Sequence, residues 1–436
     1  MRYLKKVFSI FLALVLSISM LSSYVMTLKA DNNVINLNEL EPFKGRTKEE
    51  VIQKYLEVLK EEYYFFWGDN NFNDYYSETP SCVAPYNGGK LKDEVHQAMT
   101  DMTNYYRWLL GVNPYQTVSS HHKSLQEFAV IENLYIKKVG NLSHHPTTDG
   151  KFEKPGDMSE EFWSSGATLN NIIAAGSAPQ KSIEQWFTEG YNRKFGVFDT
   201  TGHRDLLLSY KSTGMTFSFV NYISVSQKIG GGTIDLPCSV FPAPGAFPNT
   251  SLEPEHTAWS IELNPNQLRY DLDNICVKVT NLNTNESYEC TKENKKISTL
   301  TYGYGIAYVQ PEISTTSYEN SYKIEISGLT DTAGNEKVVV YQTDPFDIID
   351  ITSSNVVSID CKWSKVHEGP IGENNISYSD FNSILPREIT YLTDKNYKGT
   401  VDVLWGSGMS GYDRIAHVSS YHLPEGIKDS NQLIKN

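Results

Sequence analysis

Between Thr47 and Phe66 the apolar residues Val51, Tyr55, Leu56, Leu59 and Tyr63 recur at the spacing of one buried helical stripe. Thr47 with Glu50 three positions on is a capping box, so the pattern predicts one helix from Thr47 to Phe66. The period returns at Val95, Met99, Met102 and Tyr106 in residues 91–110. It returns again at Leu125, Phe128, Ala129, Ile131, Leu134 and Tyr135, where Gly140 supplies the stop. Two shorter helices are expected in SEEFWSSGATLNNIIAAG and SIEQWFTEGYN, and a strand in GMTFSFVNYISVS. Helices first and strands late, without regular alternation, predict an α+β fold and not a doubly wound sheet.

After Leu236 the pattern changes. LPCSVFPAPGAFPNTSLEPEH reads as a proline-punctuated linker, and from Ala258 the helical period gives way to short β-rich runs. WSIEL, ICVKVT, SYECT, IAYVQ, SYKIEISGL and KVVVYQ, set among Asn, Gly and Thr turns, predict an antiparallel sandwich. A second block from about Asp347 contains REITYLT and TVDVLW. The expected divisions are a signal peptide at 1–30, an N-terminal helical segment at 31–90, a mainly helical domain at 91–236, and β-sandwich modules at 237–347 and 348–436.

Arg2, Lys5 and Lys6 ahead of an apolar run to Val25, with the small residue Ala30 before the first acidic residue, predict that secretory signal and a released product. No second run is long enough to span a bilayer. The formal charge of −14 becomes −18 once the four cations of residues 1–30 are set aside, which speaks against nucleic acid as a partner. Cys82, Cys238, Cys276, Cys290 and Cys361 show no C-x-x-C spacing, so the folds must rest on hydrophobic cores. Cys276 and Cys290 flank two strand-like runs symmetric about Asn283; they would either bridge across a hairpin or remain half-buried thiols.

Three pieces of the helical region carry candidate chemistry: NLSHHP at 141–146, WFTE at 186–189 and GHR at 202–204. Imidazoles and a carboxylate from separate elements are what a divalent metal or an acid–base pair requires, although scattered surface histidines read the same way. His145 is an alternative to His144. His121 and His122 read as exposed polar residues, His96 as a helix-surface residue, and Arg107 with Trp108 as anchors of a helix end. No G-x-S-x-G elbow occurs.

Taken in order, N-x-x-R at Asn104 and Arg107, L-S-H at 142–144, N-N-I at 170–172, W-x-x-E at Trp186 to Glu189 and G-H-R resemble the bacterial form of the CAP superfamily, the cysteine-rich secretory, antigen 5 and pathogenesis-related 1 proteins. The resemblance covers roughly residues 91–230 and implies an α-β-α sandwich with a central cleft lined by His144, Asn170, Glu189 and His203. Asn170 stands where the family usually has a glutamate. The resemblance also implies a weakly held divalent metal such as zinc on His144, Glu189 and His203, with an amide at Asn170 as a poorer ligand. SYKIEISGLTDTAGNEKVVVYQ and SILPREITYLTDKNYKGTVDVLW are similar to exported bacterial Ig-like modules, in which Trp363 and Trp405 would be core. The expectation is a secreted binder of a cell-envelope or host extracellular molecule such as a lipid or peptide. The rival is a metal-dependent hydrolase of envelope peptides or glycans, and a purely adhesive role would rest on the Ig-like modules alone.

Overall fold

Thr47 caps the first helix as its capping box predicts, its side chain accepting from the Glu50 backbone at 3.1 Å. The helix is shorter than its periodicity implies. It is α1 (Lys48–Val58), and a separate short helix at Glu61–Tyr64 follows. The cause is tertiary: the Gln180 side chain donates to Val58 O at 2.7 Å and accepts from Lys60 N at 2.8 Å, taking the places of helical partners. The computed structural model describes residues 33–64, 72–167, 171–221, 223–253, 255–311, 320–346, 348, 356–362, 388–393, 398–407 and 414–418. The signal-like segment 1–30, Asn170 and Trp363 lie outside them, as does the side chain of Trp405.

Among the described residues the chain is a mixed α+β structure with several sheets. It enters on strand β1 (Val34–Asn36) and proceeds through α1, α2 (Asp93–Leu109), β2 (Gln116–Thr117), α3 (His122–Val139) and α4 (Glu160–Ser164). Strand β3 (Asn171–Ala175), α5 (Lys181–Gln185), α6 (Gly202–Leu208), β4 (Gly214–Val220) and β5 (Ile223–Ile229) follow. Strands order as β2-β4-β5-β3, with only the β2–β4 pair parallel. Two apolar clusters divide this sheet's faces. Ile172, Ala174, Met215 and Phe217 join Met99, Met102 and Tyr106 of α2, while Ile173, Val220, Ile223 and Val225 join Leu125, Phe128 and Ile131 of α3. That explains one misreading: NNIIAA was expected in a helix, but β3 is covered on both faces, and such a strand has no polar alternation to announce it.

The strands expected beyond Ala258 form largely where WSIEL, ICVKVT, SYECT and their fellows predict them. In chain order they are β6 (Cys238–Phe241), β7 (Gly245–Pro248), β8 (Trp259–Leu263), β9 (Leu268–Tyr270), β10 (Cys276–Asn281), β11 (Ser287–Thr291), β12 (Ile297–Thr299), β13 (Gly305–Tyr308), β14 (Tyr322–Asp331) and β15 (Glu336–Phe346). One sheet runs β1-β15-β14-β10-β11, with β7 also on β15 and β9 also on β14; the other runs β6-β8-β13-β12. Trp259 of the second sheet meets Tyr322 of the first edge-on at 5.5 Å, and the Tyr308 and Tyr341 hydroxyls bond at 2.7 Å. Strands β16 (Val356–Lys362), β17 (Glu388–Thr393), β18 (Lys398–Ser407) and β19 (Arg414–Val418) make a further antiparallel sheet.

Three expectations need correction. The proline-rich stretch at 237–255 is not an exposed linker: its first part is β6 and β7, and Cys238 through Pro244 are buried. Phe241 and Phe247 pack with Phe187 and Tyr106, so one apolar cluster runs unbroken from the helical layers into the β-sheets. Residues 31–90 are likewise not simply helical, because β1 extends the sheet at β15 in parallel. Finally, Cys276 pairs in register with Thr291 and Cys290 with Val277, so of the two readings the bridge falls and the free thiols stand. The loop between Asn281 and Glu286 holds an even number of residues, with Asn285 at φ 60°, so the centre of symmetry is not Asn283 and the cysteines fall on opposite faces.

His96 and His122 are also placed differently. His96 is buried on α2, and its ring stacks on that of His122 at the start of α3 with 3.8 Å between centroids. Burial pushes His96 down to about 3, assisted by the neighbouring His122 and Lys90. A histidine held neutral in the fold binds its proton only on unfolding, so its contribution to stability is present above about pH 6.5 and is lost as pH falls toward 3. The slope is about 1.4 kcal/mol per pH unit for one proton. Urea denaturation between pH 6.5 and 4.5 should show His96→Phe losing stability less steeply than the parent; parallel curves would remove His96 as the cause.

The continuous core generates a second prediction. Phe241→Ala should cost about 3–5 kcal/mol and shift the unfolding of helices and β-sheets together, followed by far-UV and near-UV signals in one titration. Two separated transitions in the parent would show that the seam does not couple the layers.

Candidate functional site

The N-x-x-R residues of α2 build the floor on which the site stands. Asn104 bonds the Tyr115 backbone twice, accepting from its N at 2.6 Å and donating to its O at 2.9 Å. Arg107 is fully buried; its guanidinium donates to the carbonyls of Asn113, Leu207, Ser209 and Ser212 at 2.7–3.2 Å and lies 3.6 Å from the Tyr115 ring centroid. Burial lowers its pKa. Two of those carbonyls belong to the end of α6, where a cation meets the negative end of the helix. Arg107 therefore anchors α6 more than the end of its own helix.

Helix α6 carries His203, and its start is fixed from the β-sandwich side. Thr201 N donates to Thr301 Oγ1 at 3.0 Å, Thr301 N donates to Thr201 Oγ1 at 3.1 Å, and Tyr302 N donates to Asp205 Oδ2 at 3.0 Å. Gly202 sits beneath this loop: a Cβ there would stand 2.8 Å from Thr200 Oγ1 and 3.0 Å from Tyr302 Cε2. Its φ is not positive, so glycine serves close approach here and not a backbone bend.

His203 Nδ1 lies 3.0 Å from Glu189 Oε2, an electrostatic contact, while Glu189 Oε1 accepts from Arg204 N at 2.8 Å. Arg204 is buried; it donates to Phe187 O at 3.2 Å and spreads over the Phe241 ring at 4.6 Å. The two imidazoles of His144 and His203 are tilted, with centroids 5.9 Å apart, and His144 Nδ1 bonds Asn171 Oδ1 at 2.9 Å. The structure thus brings His144, Glu189 and His203 to one place. Two clefts, of about 370 and 260 Å³, share His203 and Thr200 in their walls; Glu189 lines the first, His144 and His145 the second. The bland alternative, a histidine satisfied at the edge of a core, does not describe His203, which remains partly open to both clefts.

His144 Nδ1 is bonded to Asn171 while His203 Nδ1 makes only an electrostatic contact with Glu189, and among the described residues no three His, Cys, Asp or Glu side chains stand grouped around a metal position. Asn171 and Glu189 face the Nδ1 side of the two rings, which leaves each Nε2 for a ligand, and Glu189 is placed to orient His203 where the resemblance made it a ligand.

Several site residues escaped the sequence. Asn171 is adjacent to the residue singled out, and nothing in NNI tells the two amides apart. Glu132 reads as one more polar position of α3, yet it is buried, its Oε1 accepts from Ser143 N at 2.7 Å beside His144, and burial raises its pKa to about 7. Tyr302 and His256 come from the β-rich part of the chain, more than 50 residues beyond His203. The exposed Leu142 lines the larger cleft.

Removing the Arg107 cation orphans several buried carbonyls at once. Arg107→Met should destabilise the protein by about 3–5 kcal/mol in urea denaturation; a loss under about 1 kcal/mol would show that water or rearrangement satisfies them.

No protein-family model, no curated protein and no solved structure matches this chain.

Proposed function

We propose that this is a secreted protein with a CAP-type α-β-α unit and Ig-like β-modules, which binds a cell-envelope or host extracellular molecule in the cleft around His203. The observation that carries the reading is His203 itself: oriented by Glu189, beside His144, and exposed to two clefts at once. Its support comes from rigid elements on both sides, which is how a binding group is kept ready without reorganisation on binding. The order of the five short motifs supports the CAP assignment, as do helices on both faces of the β2-β4-β5-β3 sheet. Residues 1–30 support export.

The second reading, a metal-dependent hydrolase, has one observation in its favour. Glu189 Oε2 is buried and accepts no hydrogen bond, so it retains capacity for a cation or an added donor. A metal would have to draw the two imidazoles toward it.

Small molecules retained by the purified full chain from envelope and medium extracts, identified by mass spectrometry, test the first reading. His203→Ala and His144→Ala should each retain at least about tenfold less of the ligand, equivalent to about 1.4 kcal/mol. Both should melt like the parent, while exposed Lys278→Ala retains the ligand fully. Equal retention by all four proteins sinks the cleft as the binding site. Zinc titration of the same set decides the second reading, which requires binding that both histidine variants abolish.

A further inference from the structure

The histidine cleft is not walled by the helical layers alone. Tyr302, in the loop between β12 and β13, lines the smaller cleft together with His144, His145 and His203. Its backbone is fixed through Asp205, and its neighbour Thr301 is bonded twice to Thr201, so the loop is locked to the helix that bears His203. Tyr302 is 64% exposed, while the edge of its ring packs at the position a Gly202 side chain would need. A large, positioned, solvent-facing ring at a cleft mouth has no core to stabilise.

Resting on the binding reading above, we propose that the ligand is a neutral glycan and that Tyr302 is the platform on which one of its pyranose rings stacks. The chemistry of the walls selects that class. Around the phenol stand groups that give and accept hydrogen bonds: the Thr200 hydroxyl and three imidazoles. A pyranose ring offers a C–H face to an aromatic ring and hydroxyls at its edge to such groups. Among the described residues no Lys or Arg lines either cleft, and Glu189 and Asp199 line the larger one, so an anionic ligand would meet no permanent positive charge there. A lipid tail would leave the imidazoles desolvated without partners. The two clefts meeting at His203 suit successive rings of a linear chain, one on each side of the imidazole.

Calorimetric titration of the full-length protein with chitotetraose and with N-acetyllactosamine tests the proposal. The first represents structural polysaccharide, the second host glycoprotein. At least one should bind saturably, Tyr302→Ala should weaken it about tenfold or more, and Tyr302→Trp should keep affinity within about threefold. Tyr302→Ala should melt like the parent, since the ring is exposed. Gly202→Ala, which displaces the ring, should weaken binding in the same direction. Failure of both sugars to bind, or undiminished binding by Tyr302→Ala, overturns the glycan proposal. If retention of another ligand still depends on His203 and His144, the cleft reading survives that failure. If sugar binding is lost in Tyr302→Ala but untouched in His203→Ala, the cleft reading is the one that falls.

Discussion

The site depends on a buried guanidinium. Arg107 carries its charge into the core, and the cost of that desolvation is met by four backbone carbonyls whose positions it dictates. Because two of them end α6, the orientation of that helix is set from α2. From the opposite side Ser209 Oγ donates to Glu262 on β8 at 3.2 Å, and the Thr201–Thr301 pair holds the helix start. Helix α6 is thus fixed at both ends, by helical layer and β-sandwich together, and His203 inherits a defined direction.

Two carboxylates of one short segment show how environment divides labour. Glu184 is fully buried and accepts from the hydroxyls of Tyr55, Tyr64 and Tyr106 and from Lys181 Nζ. Burial opposes its charge, but Lys181 and the tyrosines outweigh it and hold the carboxyl below the usual range. That network ties α1, α2 and α5 together and lines neither cleft at His203. Glu189, at the mouth, keeps one oxygen for Arg204 N and turns the other to His203. The first carboxylate is architecture; the second belongs to the site.

The seam between layers and sandwich turns these local arrangements into one body. Gly190 and Gly202 lie where the two parts touch: a Cβ on Gly190 would stand 2.8 Å from that of Ala258, as one on Gly202 would crowd Tyr302. Phe241 completes the contact, stacked under Arg204 and packed against Phe187. A cleft built across such a seam takes its shape from both parts.

The sequence by itself determined α2, α3 with its stop at Gly140, and most of the strands from Trp259 onward, whose apolar residues recur at helical spacing or fall in short runs set between turn residues. It also placed His144, Glu189 and His203 among the candidates, because short motifs keep their order along the chain. Tertiary structure decided the rest. It ended α1 at Val58 through Gln180, made a strand of NIIAA by covering it on both sides, and buried the proline-rich stretch that composition alone reads as a linker. It chose Asn171 to hold His144, stacked His96 on His122, and brought Tyr302 to a histidine about a hundred residues away. The physical reason is common to these cases: periodicity reports which face of one element is apolar, whereas partners distant in sequence supply the hydrogen bonds, covering surfaces and cleft walls that finish it.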